Sequence, residues 1–499
     1  MDIETGTDKD GASMKRGDRV PVWEKLSLGT GALAAFFGYA GVSVLAYPVY
    51  NMMLGVNAAW IGVALMIPRL WDAITDPVMG RISDNCHSRW GRRKPFIVGG
   101  AVTMGILFAL IWHVPMGWSD GQKLGYFIGM QIVYFTAYTV FSVPFNALSY
   151  EMTPDYDERT RVMAFLAFFH KAGEFMGGWM LPFGAALSVW LVAGATDITM
   201  EGVHLMGWMV GIGVMALIGA LPGLLVKERF KRKTATQPKV GLWDGIKGAC
   251  SSLPFLILVA IIVLNTLSGV LAMGIDQYLL VYFMNDGDKA AGLIQKGLLT
   301  TGYAFVGFAA IPVITWLASR MGKRGALYFV YGLMVFGGIM KWFIFTPGHP
   351  IFYIGKVAID PVILIDPLLC GPMWVAVKIM LASMMADICD EDELHHGQRR
   401  EGMFSAVFSW LEKMVVSLAY LGTGLALAVA NFAPELGGNQ APETFTRMRL
   451  FLAGAPALTA LFAIIALKFY PIDAKRAGET RRQLESRRGV AGSDTDSEQ

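Results

Sequence analysis

The sequence predicts an all-α, polytopic membrane protein with twelve transmembrane helices in two six-helix halves. Three observations predict it. The chain of 499 residues is 54% hydrophobic and only 16% charged, with mean hydropathy +0.47, whereas soluble proteins carry about a quarter charged residues. Apolar runs near 20 residues long, enough to cross the hydrocarbon, are centred near residues 40, 68, 105, 138, 174, 214, 265, 306, 335, 372, 416 and 458. Positive charge alternates between the loops that join these runs. The 57 glycines fit the same class, because helices in lipid approach closely over small residues.

Taken in order, residues 1–25 form a polar tail without the apolar core of a signal peptide, so the first span is expected to direct its own insertion. Residues 26–226 carry six spans, 227–248 a charged linker, 249–470 six more spans, and 471–499 a polar tail expected to be disordered. A re-entrant piece before the tenth span is open within 350–388. The even loops hold Arg89, Arg92, Arg93 and Lys94, then Arg159 and Arg161, Lys227 to Lys233, Arg320 to Arg324, and Arg399 and Arg400. The odd loops hold little beyond Lys123, Lys289, Lys296 and Lys356. The positive-inside rule then places both termini and the even loops in the cytoplasm, and the expected location is a plasma membrane, such as the bacterial inner membrane. The four cysteines show no paired or metal-binding spacing. "SRWGRRKP" (88–95) after the second span returns as "SRMGKRGA" (319–326) after the eighth, which suggests a six-plus-six repeat.

The second span contains a contradiction. Asp72 and Asp76 lie one turn apart on one helix face, Arg69 joins that stripe, and Thr75 flanks it. Ionised groups in lipid are costly, so this face must look into a polar cavity or at a partner helix. Two close carboxylates either coordinate a cation through oxygen or share a proton. A buried Arg69–Asp72 pair that only locks helices is the plainer alternative, and it leaves Asp76 unexplained.

"DAITDP" with "GRISD" and "RWGRRKP" resembles the signature of the glycoside–pentoside–hexuronide:cation symporters of the major facilitator superfamily. The likeness extends through "YTVFSVPFNALSYEMTPDYDERTRV" (138–162) and "MMADICDEDELHHGQRREGMFSAVFSWLEKMV" (384–415). It implies the major facilitator fold and alternating access. It also implies a site for a coupling Na⁺ or H⁺ made of Asp72, Thr75, Asp76 and Thr139, with Lys413 as an ion-pair partner of the aspartates. Thr75 stands where the family usually has asparagine, which removes an amide carbonyl and keeps a hydroxyl. The family's sugar-gripping carboxylates are replaced by Phe36 and Ser142, its tryptophan by Asn146, and an arginine by Ala167. Specificity for galactosides is therefore not implied.

Other polar residues inside spans are candidates for the substrate cavity. They are His170, Lys171 and Glu174 in the fifth span, Asp276 with Tyr278 and Tyr282 in the seventh, and Trp374 and Lys378 in the tenth. Lys171 and Glu174 also suit a structural pair, and the tyrosines suit interfacial anchors. Arg69, Asp84, Arg89, Arg92 and Arg93 are candidate gating residues, with Glu151, Asp155, Asp157 and Arg159, or Asp390 to Glu393, as partners. No GxxxxGK[ST] loop is present, which argues against ATP as the driver. The basic runs lack the aromatic interleaving of a nucleic-acid surface. No nucleophile–base set suggests an enzyme, and no cofactor beyond the coupling ion is expected.

The function expected is symport of a glycoside, oligosaccharide or uronic acid by a monomer in the bilayer. One rival is a lipid-like or amphiphilic cargo, which Phe36 suits and the polar Asn146, His170 and Lys171 oppose. A second rival is a non-transporting membrane sensor, for which the polar tails are short.

Overall fold

The computed structural model describes residues 19–153, 156–195, 197–228, 251–354, 357–396 and 401–495. Helices dominate, because a segment crossing lipid has to satisfy its own backbone N–H and C=O groups. The first half comprises α1 (Val22–Ala46, extended by a π-helical turn to Met53), α2 (Ala58–Asp84), α3 (Lys94–Ile111), α4 (Asp120–Tyr150), α5 (Tyr156–Gly178) and α6 (Met180–Leu191). It ends with α7 (Met200–Trp208), continued through a π-helical stretch into α8 (Gly219–Leu225). The second half comprises α9 (Leu253–Tyr278, with a π-helical turn to Phe283), α10 (Lys289–Ile344), α11 (Ile365–His396), α12 (Glu401–Val429) and α13 (Pro442–Lys468), followed by α14 (Ala474–Thr495).

Ten helical stretches among the described residues are long and apolar enough to cross a bilayer. One of them, the 56-residue α10, breaks at Gly322, whose φ of 73° departs from helix. The fifth rod divides between α5 and α6 at Trp179. Every expected span centre lies on a helical stretch.

Two expectations change. The stretch 350–388 holds an antiparallel hairpin, Phe352–Ile354 with Val357–Ile359, where a re-entrant piece was considered. The tail beyond residue 471 is helical from Ala474, because Asp473 caps it at the Arg476 N–H (2.8 Å) and an Arg476–Glu391 ion pair docks it on α11. The linker from residue 229 to 250, Arg399, Arg400 and Asp155 lie outside the described residues.

The repeat is written into the backbone. Displacing the first half by the interval from Ser88 to Ser319 carries Val22, where α1 begins, onto Leu253, where α9 begins. It carries Asn57, the N-cap of α2, onto Asp288, the N-cap of α10; both side chains accept a first-turn N–H. Gly91 (φ 119°) falls on Gly322, and Tyr47 on Tyr278.

The halves meet tightly at the face opposite the termini. Tyr47 and Tyr278 stand edge to face at 6.4 Å, Tyr278 Oη donates to Asn51 Oδ1 (2.7 Å), and Tyr47 Oη donates to the Tyr420 carbonyl (2.9 Å). Gly62 and Gly424 let α2 and α12 touch backbone to backbone, where a Cβ would collide. One hydrophobic core runs across this seam; the other stays within the second half. At the terminal face, by contrast, these ion pairs among the described residues each stay inside one half: Arg92 and Arg93 with Glu151, Arg93 with Asp84, Lys25 with Glu158, Lys323 with Asp387, and Arg476 with Glu391. Among the described residues the halves are thus tied by hydrogen bonds and backbone packing at the face opposite the termini.

Candidate cation and substrate site

The site grows from a distortion in α2. Pro68 and Pro77 lie inside this helix on either side of the aspartates. A proline lacks the N–H that would bond the carbonyl four residues earlier. The carbonyl freed by Pro68, Ala64 O, accepts from Gln131 Nε2 of α4 (3.2 Å). Gln131 and Thr139 are two turns apart on α4, so the same face that satisfies the kink delivers Thr139 to the aspartates.

Thr139 Oγ1 lies 2.7 Å from Asp72 Oδ1 and 3.1 Å from Asp76 Oδ1, and Thr75 Oγ1 is 3.3 Å from it. The remaining carboxylate oxygens face α12. Lys413 Nζ is 3.6 Å from Asp72 Oδ2 and forms a hydrogen-bonded ion pair with Asp76 Oδ2. Asp72 is buried, whereas Asp76 and Lys413 are each partly open. Two carboxylates from one half thus hold an ammonium from the other, with a hydroxyl bridging their far oxygens. The five residues expected for the cation are together.

Arg69 stands apart from its expected gating role. It is buried, its Nη2 donates to the Tyr39 carbonyl (2.5 Å), and its guanidinium lies between the Tyr39 and Phe135 rings at 4.0 and 4.4 Å. The turn spacing that put it on the aspartate stripe also puts it deep in the first half, far from the loop. The loop residues do form a cluster. Arg93 contacts Asp84 (3.2 Å) and Glu151 (2.6 Å), and Arg92 contacts Glu151 (3.1 Å). Arg89 is exposed, and Arg159 Nη2 bonds the Thr153 carbonyl (3.4 Å). None of these pairs reaches the second half, where Glu391 is engaged by Arg476.

The expected substrate residues divide. Asn146, His170 and Lys378 are exposed, and Lys378 on α11 lies within electrostatic range of His170 on α5. Phe36 meets the His170 ring edge to face at 5.4 Å and fills the notch left by Gly173 and Gly177. Lys171 and Glu174 pair at 2.6 Å, as their spacing allowed. Ser142, one turn before Asn146 on α4, is buried. Trp374 packs its ring over Gly269.

Three expected cavity residues are elsewhere. Tyr278 and Tyr282 are sealed among Tyr47, Phe432 and each other, because the seam that closes one face buries them. Asp276 is buried and paired with Lys296 at 2.5 Å. Lys296, expected in a loop, belongs to α10.

Sequence reasoning passed over a second buried pair, Lys341 with Asp366 at 2.5 Å, to which Tyr303 Oη donates (3.0 Å). Both ionisable residues sit inside apolar runs, and that cost was the available signal.

A kinked helix whose paired carboxylates hold an ammonium from the opposite half, inside a bundle of long apolar helices, fits a membrane transporter. The family model described as "MFS/sugar transport protein" matches residues 27–474. The chain belongs to that family, and it is a multi-pass membrane protein of the major facilitator fold. An uncharacterised symporter of Synechocystis is 26% identical, over 87% of this chain and 91% of its own. The isoprimeverose transporter of Lactiplantibacillus pentosus is 22% identical over 93% and 91%. The glucuronide carrier protein homolog of Escherichia coli is 24% identical over 92% and 94%. Among solved structures, a bacterial homolog of the human lysosomal transporter Spinster, inward-facing and unoccupied, superposes with a TM-score of 0.62 at 14% identity, covering 93% and 98%.

Proposed function

We propose that this protein is a cation-coupled symporter of a glycoside, oligosaccharide or uronic acid, working by alternating access across twelve spans with both termini cytoplasmic. The observation that carries the reading is the pair Asp72 and Asp76, bridged by Thr139 and holding Lys413 of the opposite half. Buried carboxylates need a positive partner. In the ion-free state Lys413 supplies it. When Na⁺ or H⁺ arrives on Asp72 and Asp76, it displaces the ammonium and breaks a tie between the halves. The cation then takes over the positive charge that Lys413 supplied to the two carboxylates, and Lys413 is freed toward the cavity between the halves.

Substrate binds beside this exchange. Asn146 and His170 supply hydrogen bonds from the first half, Lys378 supplies a donor and a charge from the second, and Phe36 offers an apolar wall. That set suits hydroxyls carried on a ring, with Lys378 available to a carboxylate substituent. Relatives named for isoprimeverose and glucuronides support a carbohydrate over a lipid-like cargo. The loop cluster Asp84–Arg92–Arg93–Glu151 keeps the terminal end of the first half rigid while the halves rock.

Uptake into sealed proteoliposomes tests the proposal. Neutral oligosaccharides, uronic acids and a lysolipid would be offered under an imposed Na⁺ or H⁺ gradient. Accumulation of a sugar by wild type and its loss in Asp76→Asn is the expected result. Equal accumulation by both would refute the coupling site.

A further inference from the structure

The two halves repeat a positive-φ glycine at the terminal face, in a loop in the first and at a helix kink in the second, without repeating the acids around it. Gly91 and Gly322 occupy equivalent places, and each is followed by a basic pair, Arg92 with Arg93 and Lys323 with Arg324. In the first half this corner is filled from within. The Glu228 carboxylate, three residues past the end of α8, accepts the backbone N–H groups of Arg92 (3.0 Å), Arg93 (2.9 Å) and Lys94 (3.4 Å) at the start of α3. Glu151 and Asp84 take the two guanidinium groups. Helix N–H groups beside two arginines make an anion site, and here the anion is the protein's own.

The second half lacks two of the three acids. Asp387 takes the part of Glu151 and binds Lys323 Nζ at 2.6 Å. The place of Asp84 falls on Thr315, and the third residue past α13 is Pro471. Asp473 is committed to capping α14 through the Arg476 N–H. Where the carboxylate of the first half would lie, there is a cavity of about 500 Å³, whose lining includes Lys323, Arg324, Lys475, Asp387, Asp473 and Tyr470. Tyr470 is 2% exposed, and its hydroxyl has no hydrogen-bond partner among the described residues. A buried hydroxyl is costly to leave unbonded.

We propose that this cavity binds a phosphate group, carried by a phospholipid headgroup or free in the aqueous phase. With Lys323 matched by Asp387, Arg324 and Lys475 remain to face an anion. Tyr470 supplies a hydroxyl donor, and the Arg324 fork suits phosphate oxygens. The cavity opens at the level of the helix ends, where headgroups lie. A bound phosphate ties the α10 corner to the start of α14, as Glu228 ties α3 to the end of α8. It does in the second half what a side chain does in the first.

The test compares wild type with Arg324→Gln, Pro471→Glu and Arg482→Gln, the last an exposed arginine of α14 outside the cavity. Delipidated protein is incubated with phosphatidylglycerol vesicles or with phosphatidylcholine vesicles, and retained lipid is counted by native mass spectrometry. Inorganic phosphate is added in a second arm. Loss of one charged hydrogen-bonding partner predicts retention about tenfold weaker in Arg324→Gln. Pro471→Glu keeps every basic residue and supplies the missing carboxylate, so it should lose the lipid equally while remaining folded. Displacement of lipid by phosphate identifies a free anion as a ligand; lipid retention that phosphate does not disturb identifies the headgroup. Wild-type retention in Pro471→Glu would overturn the proposal, as would a loss in Arg482→Gln equal to that in Arg324→Gln.

Discussion

Removing Lys413 should tighten cation binding. The proposed cycle makes the ammonium a competitor for the same carboxylate oxygens, so Lys413→Ala deletes the competitor and keeps Asp72, Asp76 and Thr139. The magnitude follows from burial. A fully buried pair broken at one partner costs about 3–5 kcal/mol, and an exposed pair is worth about 0–1 kcal/mol. Asp72 is 3% exposed, while Asp76 and Lys413 are 28% and 30% exposed. The interaction lies between those limits, near 2 kcal/mol, which corresponds to about a thirtyfold gain in apparent cation affinity. Calorimetric titration of the purified variant with Na⁺, and separately with pH, reads that gain directly. The same variant should lose accumulation, because its empty carboxylates have no ion for the return step. Unchanged or weaker cation binding in Lys413→Ala would refute competition and leave Lys413 as a plain tie between the halves.

Other expectations can be checked alongside it. Lys341→Ala strands Asp366, which is 0% exposed, and should destabilise the fold by about 3–5 kcal/mol in thermal unfolding, with Lys341→Met/Asp366→Leu recovering most of that. Thr75→Asn restores an amide carbonyl beside the aspartates and should shift coupling from H⁺ toward Na⁺, read as the ratio of uptake under the two gradients. Gly424→Val drives a side chain into the Ala58 carbonyl of α2, so it should pry open the closed face; spin labels placed across that face would report a longer distance. Gln131→Leu leaves Ala64 O unbonded at the Pro68 kink, and by removing one buried hydrogen bond it should cost about 1–3 kcal/mol and weaken cation binding with it.

The fold was readable because lipid imposes a single rule on backbone groups, and long apolar runs obey it. Asp72 and Asp76 stood out for the opposite reason: they break the run, and only function or pairing compensates such a break. Lys413 was reached through the family resemblance and not through spacing. Nothing in the spacing says that Pro68 frees a carbonyl for Gln131, because that depends on helix rotation in three dimensions. The cavity residues were least legible. Tyr278 and Asp276 look alike from the sequence, as polar breaks near a span's end, but the structure seals one in a seam and pairs the other with Lys296.

That difference is a property of the repeat. Equivalent backbone positions place Tyr47 against Tyr278 and give Gly91 and Gly322 the same sign of φ, so the two halves share much of one scaffold. The charges are not shared. The first half presents a pair of carboxylates within α2, and the place of Asp72 falls on Tyr303 in the second, which instead serves the closed pair of Lys341 and Asp366. A symmetric scaffold can rock between two equivalent closures. Only an asymmetric set of charges can make that rocking depend on an ion. With the carboxylates in one half and their ammonium in the other, the proposed exchange would let a cation entering the first half change what holds the halves together. A second copy of the aspartate pair would present another open cation site, and the permanent Lys341–Asp366 pair closes that place in the second half.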